Sequence, residues 1–230
     1  MLKPRIHVII PAFNEEKSIG KVIQEIPADI ISEVIVVNNA STDRTASLAG
    51  EAGATVLHEP RRGYGYACLK GIAYCRDHIA PPDVLVFLDG DHSDYPEETP
   101  NLVEPILQNR ADLVIGSRTL GRREKGSITI QQIFGNWLAT NLIKLFFRES
   151  FTDLGPFRAI RFASLLALEM QDKTYGWTVE MQIKSAKQKL RSMEVPVNYR
   201  KRIGVSKVSG TVKGTVFAGF KILYTIFRHL

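Results

Sequence analysis

Short apolar runs alternate with helical patterns through the first half of the chain. Ile6-His7-Val8-Ile9-Ile10, Glu33-Val34-Ile35-Val36-Val37, Ala54 to His58, Val84-Leu85-Val86-Phe87-Leu88 and Asp112 to Ile115 each read as a strand. Helical patterns run from Lys17 to Ile26, from Arg44 to Gly53, and from about Ala67 to His78. This alternation predicts an α/β fold with a mainly parallel central sheet flanked by helices. Each strand empties into a polar cluster: Pro11 to Glu16, Asn38 to Asp43, Arg61 to Ala67, Asp89 to Asp94, and Gly116-Ser117-Arg118. In open α/β sheets ligands bind beyond the carboxyl ends of the strands, so these clusters predict one binding edge. Val195-Pro196-Val197 reads as an edge strand, because proline cannot donate to a ladder.

The second half changes character. In Ile128 to Phe147, the residues Ile130, Ile133, Phe134, Trp137, Leu138, Asn141, Leu142, Leu145 and Phe146 follow i, i+3, i+4 spacing. The tail from Thr211 to Leu230 sets Val212, Val216, Phe217, Phe220, Leu223, Tyr224 and Phe227 near one face, interrupted by Lys213, Lys221 and Arg228. From Val216 to Phe227 such a helix is roughly 18 Å long, short of the ~30 Å hydrocarbon core, so it suits an interface rather than a span. The same amphipathicity equally suits core packing or a second copy of this chain. The division predicted is a domain over 1–210 and an amphipathic C-terminal helix over 211–230.

The strand ending at Leu88 delivers Asp89-Gly90-Asp91. Two carboxylates two residues apart on extended backbone point the same way and repel. A divalent cation relieves that repulsion, and carboxylate oxygens suit Mg²⁺ or Mn²⁺, which complete their shells with water and phosphates. The alternative is a polar loop with aspartate as turn former. Asp94 reads first as the cap of a helix begun by Pro96-Glu97-Glu98, the other reading being a further metal contact.

Taken together, Pro11-Ala12-Phe13-Asn14-Glu15, Asn39-Ala40-Ser41-Thr42-Asp43, Gly63-Tyr64-Gly65, Asp89-Gly90-Asp91, Gly116-Ser117-Arg118, Gly155-Pro156-Phe157-Arg158-Ala159 and Tyr199 to Lys207 resemble the family-2 glycosyltransferases. Within that family they resemble the dolichyl/polyprenyl-phosphate hexosyltransferase branch. The resemblance implies a GT-A fold and inverting transfer from a UDP- or GDP-linked sugar to a lipid phosphate. Pro11, Ala12, Phe13, Asn14 and Glu15 would line the donor, with Asp43, Gly65, Gly90 and Arg118. Asp89 and Asp91 would carry Mg²⁺ or Mn²⁺ under the diphosphate. Asn38 or Asn39 stands where the family usually has an acid contacting the base, and an amide can still read a base edge. Arg202 and Lys207, flanking Gly204, would clamp the phosphates. A hydroxyl acceptor would need a base, for which Asp153 and Glu180 are the candidates; a phosphate acceptor would not.

Charge narrows the partners. The net charge of +6 collects in the second half, from Arg118, Arg122, Arg123 and Lys125 onward. No nucleic-acid module is recognisable, which leaves phosphorylated substrates and an anionic membrane surface. The start, Met1-Leu2-Lys3-Pro4-Arg5, runs into a strand without a leader pattern, which suggests a cytoplasmic protein, peripheral at the membrane. Cys68 and Cys75 lie seven apart on one predicted helix, roughly 10 Å, too far for a disulfide, and read as reduced core residues. Besides a lipid phosphate acceptor, the pattern admits transfer to a sugar or lipid hydroxyl, or a non-catalytic nucleotide-sugar or membrane module.

Overall fold

The computed structural model describes residues 3–204 and 212–230. Among these described residues seven strands form one sheet: β1 (Ile6–Ala12), β2 (Glu33–Asn38), β3 (Thr55–His58), β4 (Val84–Phe87), β5 (Leu113–Ser117), β6 (Arg158–Arg161) and β7 (Ser192–Pro196). Their order is β3-β2-β1-β4-β6-β5-β7. β6 runs antiparallel to both β4 and β5, and the other pairings are parallel. The fold is therefore the expected mainly parallel α/β sheet. Its reversed strand was not legible as one, since Arg158-Ala159-Ile160-Arg161 carries arginine at both ends. β7 is an edge strand, as the proline predicted, though it starts earlier and ends at Pro196.

Period-2 alternation splits the strand side chains between two cores. Ile9, Ile35, Val37, Leu85, Phe87, Leu113 and Ile115 face α3 (Tyr64–Asp77), α6 (Phe162–Ala167) and α7 (Trp177–Lys187). Val8, Ile10, Val36, Val86 and Val114 face α1 (Ile19–Gln24), α2 (Thr45–Glu51) and α4 (Thr99–Leu107). Cys68 and Cys75 are free thiols in the first core. His7 is buried beside Glu33 and Cys75.

Two helices lie at one end of the first core. α5 (Ile130–Phe147) starts with a capping box between Thr129 and Gln132 and ends at Arg148 in the left-handed region. It buries Ala139, Thr140 and Ile143, while Ile130, Ile133, Phe134, Trp137, Leu145 and Phe146 are exposed. The apolar stripe read from the sequence thus faces largely outward. α8 (Val212–Arg228) packs against α5 and α7 through Ile222, Thr225 and Ile226. Lys221 of α8 pairs with Asp172 at 2.8 Å. Phe217, Phe220, Tyr224 and Phe227 face outward, and the Phe227 ring meets Phe146 of α5 at 5.9 Å. Lys207, and the side chains of Val212, Lys213 and Val216, lie outside the described residues.

The parallel strands all end at one edge. Because β6 runs the other way, it begins there, and this brings Asp153 to Phe157 beside the ends of β4 and β5.

Candidate active site

A cleft of about 910 Å³ opens at this edge. One end is lined by Pro11, Ala12, Phe13, Glu15 and Asn39, from the ends of β1 and β2. Asp89, Gly90 and Asp91 follow β4, and Arg118 follows β5. Toward α5 and α8 the lining mixes apolar Ile133, Trp137, Ala218 and Ile222 with polar Gln131, Gln132, Asn136 and Thr140.

The acidic segment is tightly buried. Asp91 is 4% exposed; its Oδ1 accepts from Ser93 N at 2.9 Å and Ser93 Oγ at 2.5 Å, and its Oδ2 meets Arg202 Nη2 at 2.5 Å. Burial, then the neighbouring Asp91 charge, pushes the Asp89 carboxyl up from its ordinary value. Asp89 Oδ1 is buried with no hydrogen-bond partner among the described residues. Asp94 is 1% exposed, and neither of its oxygens has a hydrogen-bond partner there. Burial and the charges of Asp89 and Asp91 push its carboxyl up as well. Asp94 is therefore not a helix cap: Tyr95 holds the cap position of the 3₁₀ turn Pro96–Glu98, which has no side-chain cap. Such orphaned, acceptor-only oxygens fit a hard divalent cation. Among the described residues no trio of His, Cys, Asp or Glu is gathered closely enough to hold one unaided. An ion at this site would draw the rest of its shell from water and ligand phosphates.

Arg118 and Asp153 form a bidentate pair, Nε–Oδ2 and Nη2–Oδ1 both at 2.7 Å, and Asp153 Oδ2 also accepts the Arg118 main-chain N–H at 2.8 Å. Burial alone would raise the Asp153 carboxyl, yet Arg118 holds it below the usual carboxylate range. Arg118 also stacks over Tyr199, 5.1 Å from the ring centre. Gln182 Nε2 donates to Asp153 O at 3.0 Å, and Arg158, fully buried, donates to the carbonyls of Leu154, Gly155 and Thr178. The loop before β6 is stapled from two elements.

The structure does not bring every candidate to the cleft. Glu180, on the first turn of α7, accepts from Gln171 N and Asp172 N and pairs with Lys184 at 2.8 Å, away from the lining. Asn38 accepts from Ser41 N and meets His58 Nδ1, while Asp43 accepts from Thr45 N and Glu16 N. Asn14, in the left-handed region, accepts from Thr42 N. Asn14 and Asp43 tie the β1 and β2 loops together, and Asn38 ties the β2 loop to the end of β3. Gly65 lets α3 approach the 172–173 backbone: an added Cβ would lie 2.1 Å from Asp172 O.

Asn39 lines the cleft, but both of its amide donors and one lone pair of its oxygen are taken. Nδ2 donates to Glu59 O and Arg61 O at 3.1 and 2.7 Å, and Oδ1 accepts from Gly63 N at 2.8 Å. That explains an amide where the family has an acid: a carboxylate cannot donate to two carbonyls. The loop so held carries Arg62, whose guanidinium sits 4.8 Å from the Phe13 ring centre. Sequence reasoning gave Arg62 no role; its place between a strand end and the Gly63 turn was the available signal. Arg123, also on the lining, makes no ion pair among the described residues.

This geometry has known counterparts. The family model for glycosyl transferase family 2 matches residues 7–168. A glycosyltransferase of Mycobacterium tuberculosis is 33% identical over 216 residues, covering 93% of this chain and 94% of its own. The undecaprenyl-phosphate mannosyltransferase of Micrococcus luteus is 32% identical over 225 residues, covering 91% and 90%. It carries the likeness to the polyprenyl-phosphate branch read from the motifs. Glucosyl-3-phosphoglycerate synthase of Mycobacterium tuberculosis, solved with Mn²⁺, UDP and phosphoglyceric acid, shares the fold at a TM-score of 0.78 and 23% identity, over 98% of this chain and 78% of that one. With these matches over the same strands, loops and acidic segment, the chain belongs to glycosyltransferase family 2 and is a GT-A enzyme.

Proposed function

We propose that this enzyme moves a hexose from a UDP- or GDP-linked donor to a polyprenyl-type lipid phosphate, with inversion at the anomeric carbon. The polarity of the cleft carries this reading. Carboxylates and the Phe13–Arg62 pair stand at the strand ends, whereas between α5 and α8 Ile133, Trp137, Ala218 and Ile222 add apolar surface among amide and hydroxyl side chains. A nucleotide sugar fits the first end and an acceptor with a hydrocarbon tail fits the second. The structures solved with Mn²⁺ and UDP, and the undecaprenyl-phosphate relative, support the two halves separately.

Asp89 and Asp91 would hold Mg²⁺ or Mn²⁺, which supplies Lewis-acid stabilisation of the departing diphosphate. Phe13 and Arg62 flank the base, and Arg202 reaches the diphosphate. Arg118, fixed by Asp153, and Arg123 set positive charge where an acceptor phosphate arrives. The acceptor oxygen forms the new bond to the anomeric carbon as the bond to the diphosphate breaks. A phosphate oxygen is already anionic and needs no base. This agrees with the cleft: its carboxylates are Glu15, Asp89, Asp91 and Asp153, and Asp153 is committed to Arg118. A hydroxyl acceptor would lack an uncommitted base at Asp153 or Glu180.

The outward aromatics of α5 and α8, with exposed Arg122, Arg123, Lys125, Lys144, Arg148 and Arg228 beside them, support a peripheral site on an anionic membrane at the cytoplasmic face. No helix among the described residues is long and apolar enough to cross a membrane. The test combines protein, Mg²⁺ or Mn²⁺, UDP- and GDP-hexoses and polyprenyl phosphate, and identifies the lipid product by mass. A polyprenyl phosphohexose lost in Asp89→Ala and Asp91→Ala supports the proposal. Its absence with every donor refutes it.

A further inference from the structure

Asp91 presents an incoming cation with an oxygen that is already taken. Ser93 donates twice to Oδ1, and Arg202 Nη2 sits 2.5 Å from Oδ2. A guanidinium at that distance and a divalent ion at the roughly 2.1 Å of an Mg²⁺–oxygen bond cannot share one side of the carboxylate. The backbone under Arg202 is fastened to the same acidic segment. Ile203 N donates to Asp91 O and Arg200 N to Ser93 O, both at 2.9 Å. The Arg200 side chain donates to His92 O at 2.8 Å and pairs with Glu25 at 2.5 Å. Arg202 can therefore leave Asp91 by side-chain rotation with its main chain held in place. Asp89 Oδ1, two residues before, is buried with no hydrogen-bond partner among the described residues.

We propose that Arg202 is a stand-in cation on Asp91, which a divalent ion displaces and the donor's diphosphate then receives. The inference rests on the donor-site reading above. It makes metal and diphosphate bind cooperatively. The metal alone must strip Arg202 of its carboxylate, whereas with a diphosphate present the guanidinium gains a bidentate acceptor. The device orders loading: the bare ion binds weakly, and ion and nucleotide arrive in effect together.

The test titrates Mn²⁺ alone, followed by electron paramagnetic resonance, into the wild type, Arg202→Gln, Arg202→Lys and Asp91→Asn, with thermal melts to confirm folding. Without nucleotide, Arg202→Gln should bind Mn²⁺ about fivefold tighter than wild type or better, the lower end of typical coupling between sites. Arg202→Lys, which keeps the charge, should stay near wild type, and Asp91→Asn should weaken binding. Adding UDP or GDP should tighten Mn²⁺ more in the wild type than in Arg202→Gln. Equal or weaker Mn²⁺ binding by Arg202→Gln, or an Arg202→Lys as tight as Arg202→Gln, overturns the exchange and leaves the transferase reading standing. If none of the proteins binds Mn²⁺ with either nucleotide, the metal site fails, and this inference with it.

Discussion

Arg118 and Asp153 are locked to each other by three hydrogen bonds, two through the guanidinium and one through the Arg118 main chain. Both side chains are largely withdrawn from water, at 15% and 2% exposure. Removing one partner of such a pair strands a buried charge, at a cost of about 3–5 kcal/mol. Asp153→Asn should therefore lower the unfolding free energy by about that amount, read in urea melts. The double variant Arg118→Met/Asp153→Leu should recover part of the stability, short of wild type by the main-chain N–H of residue 118 left without its acceptor, and none of the turnover. If Asp153→Asn is inactive at full stability, Asp153 acts on the substrate directly.

Glu180 tests the opposite case. Its carboxylate accepts two main-chain N–H groups and pairs with Lys184. Glu180→Gln keeps one acceptor oxygen and loses the charge, so stability should fall by about 1–3 kcal/mol. Turnover per folded molecule should remain within about twofold of wild type. Complete loss of turnover in a well-folded variant would return Glu180 to the list of bases.

Asn39 makes a similar prediction from the donor side. Asn39→Asp replaces two donated hydrogen bonds with a carboxylate facing the carbonyls of Glu59 and Arg61. Leaving such groups unpaired costs about 1–3 kcal/mol each. The melting temperature should drop, and nucleotide affinity with it, as Arg62 loses its place over Phe13. A variant that binds nucleotide more tightly would show that the acid reads the base here as elsewhere in the family.

Acid stability should depend on Asp112. Its carboxyl is held down to about 2 by hydrogen bonds from Arg191, against burial, with Arg161 adding to the effect. A lowered folded value gives stability that is complete above the unfolded value near 3.8 and is lost as pH falls through about 2. Because Arg191 is half exposed, solvent screening holds the contribution to about 1 kcal/mol. Urea midpoints of wild type and Asp112→Asn, measured from pH 6 to pH 2, should converge at the acid end. A constant gap across that range would contradict the ion-pair origin.

What the sequence concealed follows from what periodicity can encode. β1, β2 and β4 are apolar runs buried on both faces, and their polar exits mark the edge at once. β6 hides because Arg158 is a fully buried cation, satisfied by the carbonyls of Leu154, Gly155 and Thr178 rather than by solvent or a carboxylate. Asp94 looked like a cap because it stands two residues before the proline that opens a turn; its buried oxygens, which make no capping bond, and Tyr95 in the cap position show otherwise. Asn39 looked like a base reader because its three loop partners come from residues twenty or more positions on. On α5 the period was legible but the side facing the core was not. Ala139, Thr140 and Ile143 turn inward and the larger aromatics outward, toward the cleft mouth and the surface.

The most direct measurement compares acceptors at fixed donor and metal. Nucleoside diphosphate release would be followed with polyprenyl phosphate, with the matching polyprenol, and with no lipid. Release that requires both the divalent ion and the phosphorylated lipid, with polyprenol no better than no lipid, is the result predicted here. Equal or faster release with the free alcohol would contradict it, and would place the missing base among the carboxylates this structure shows to be occupied.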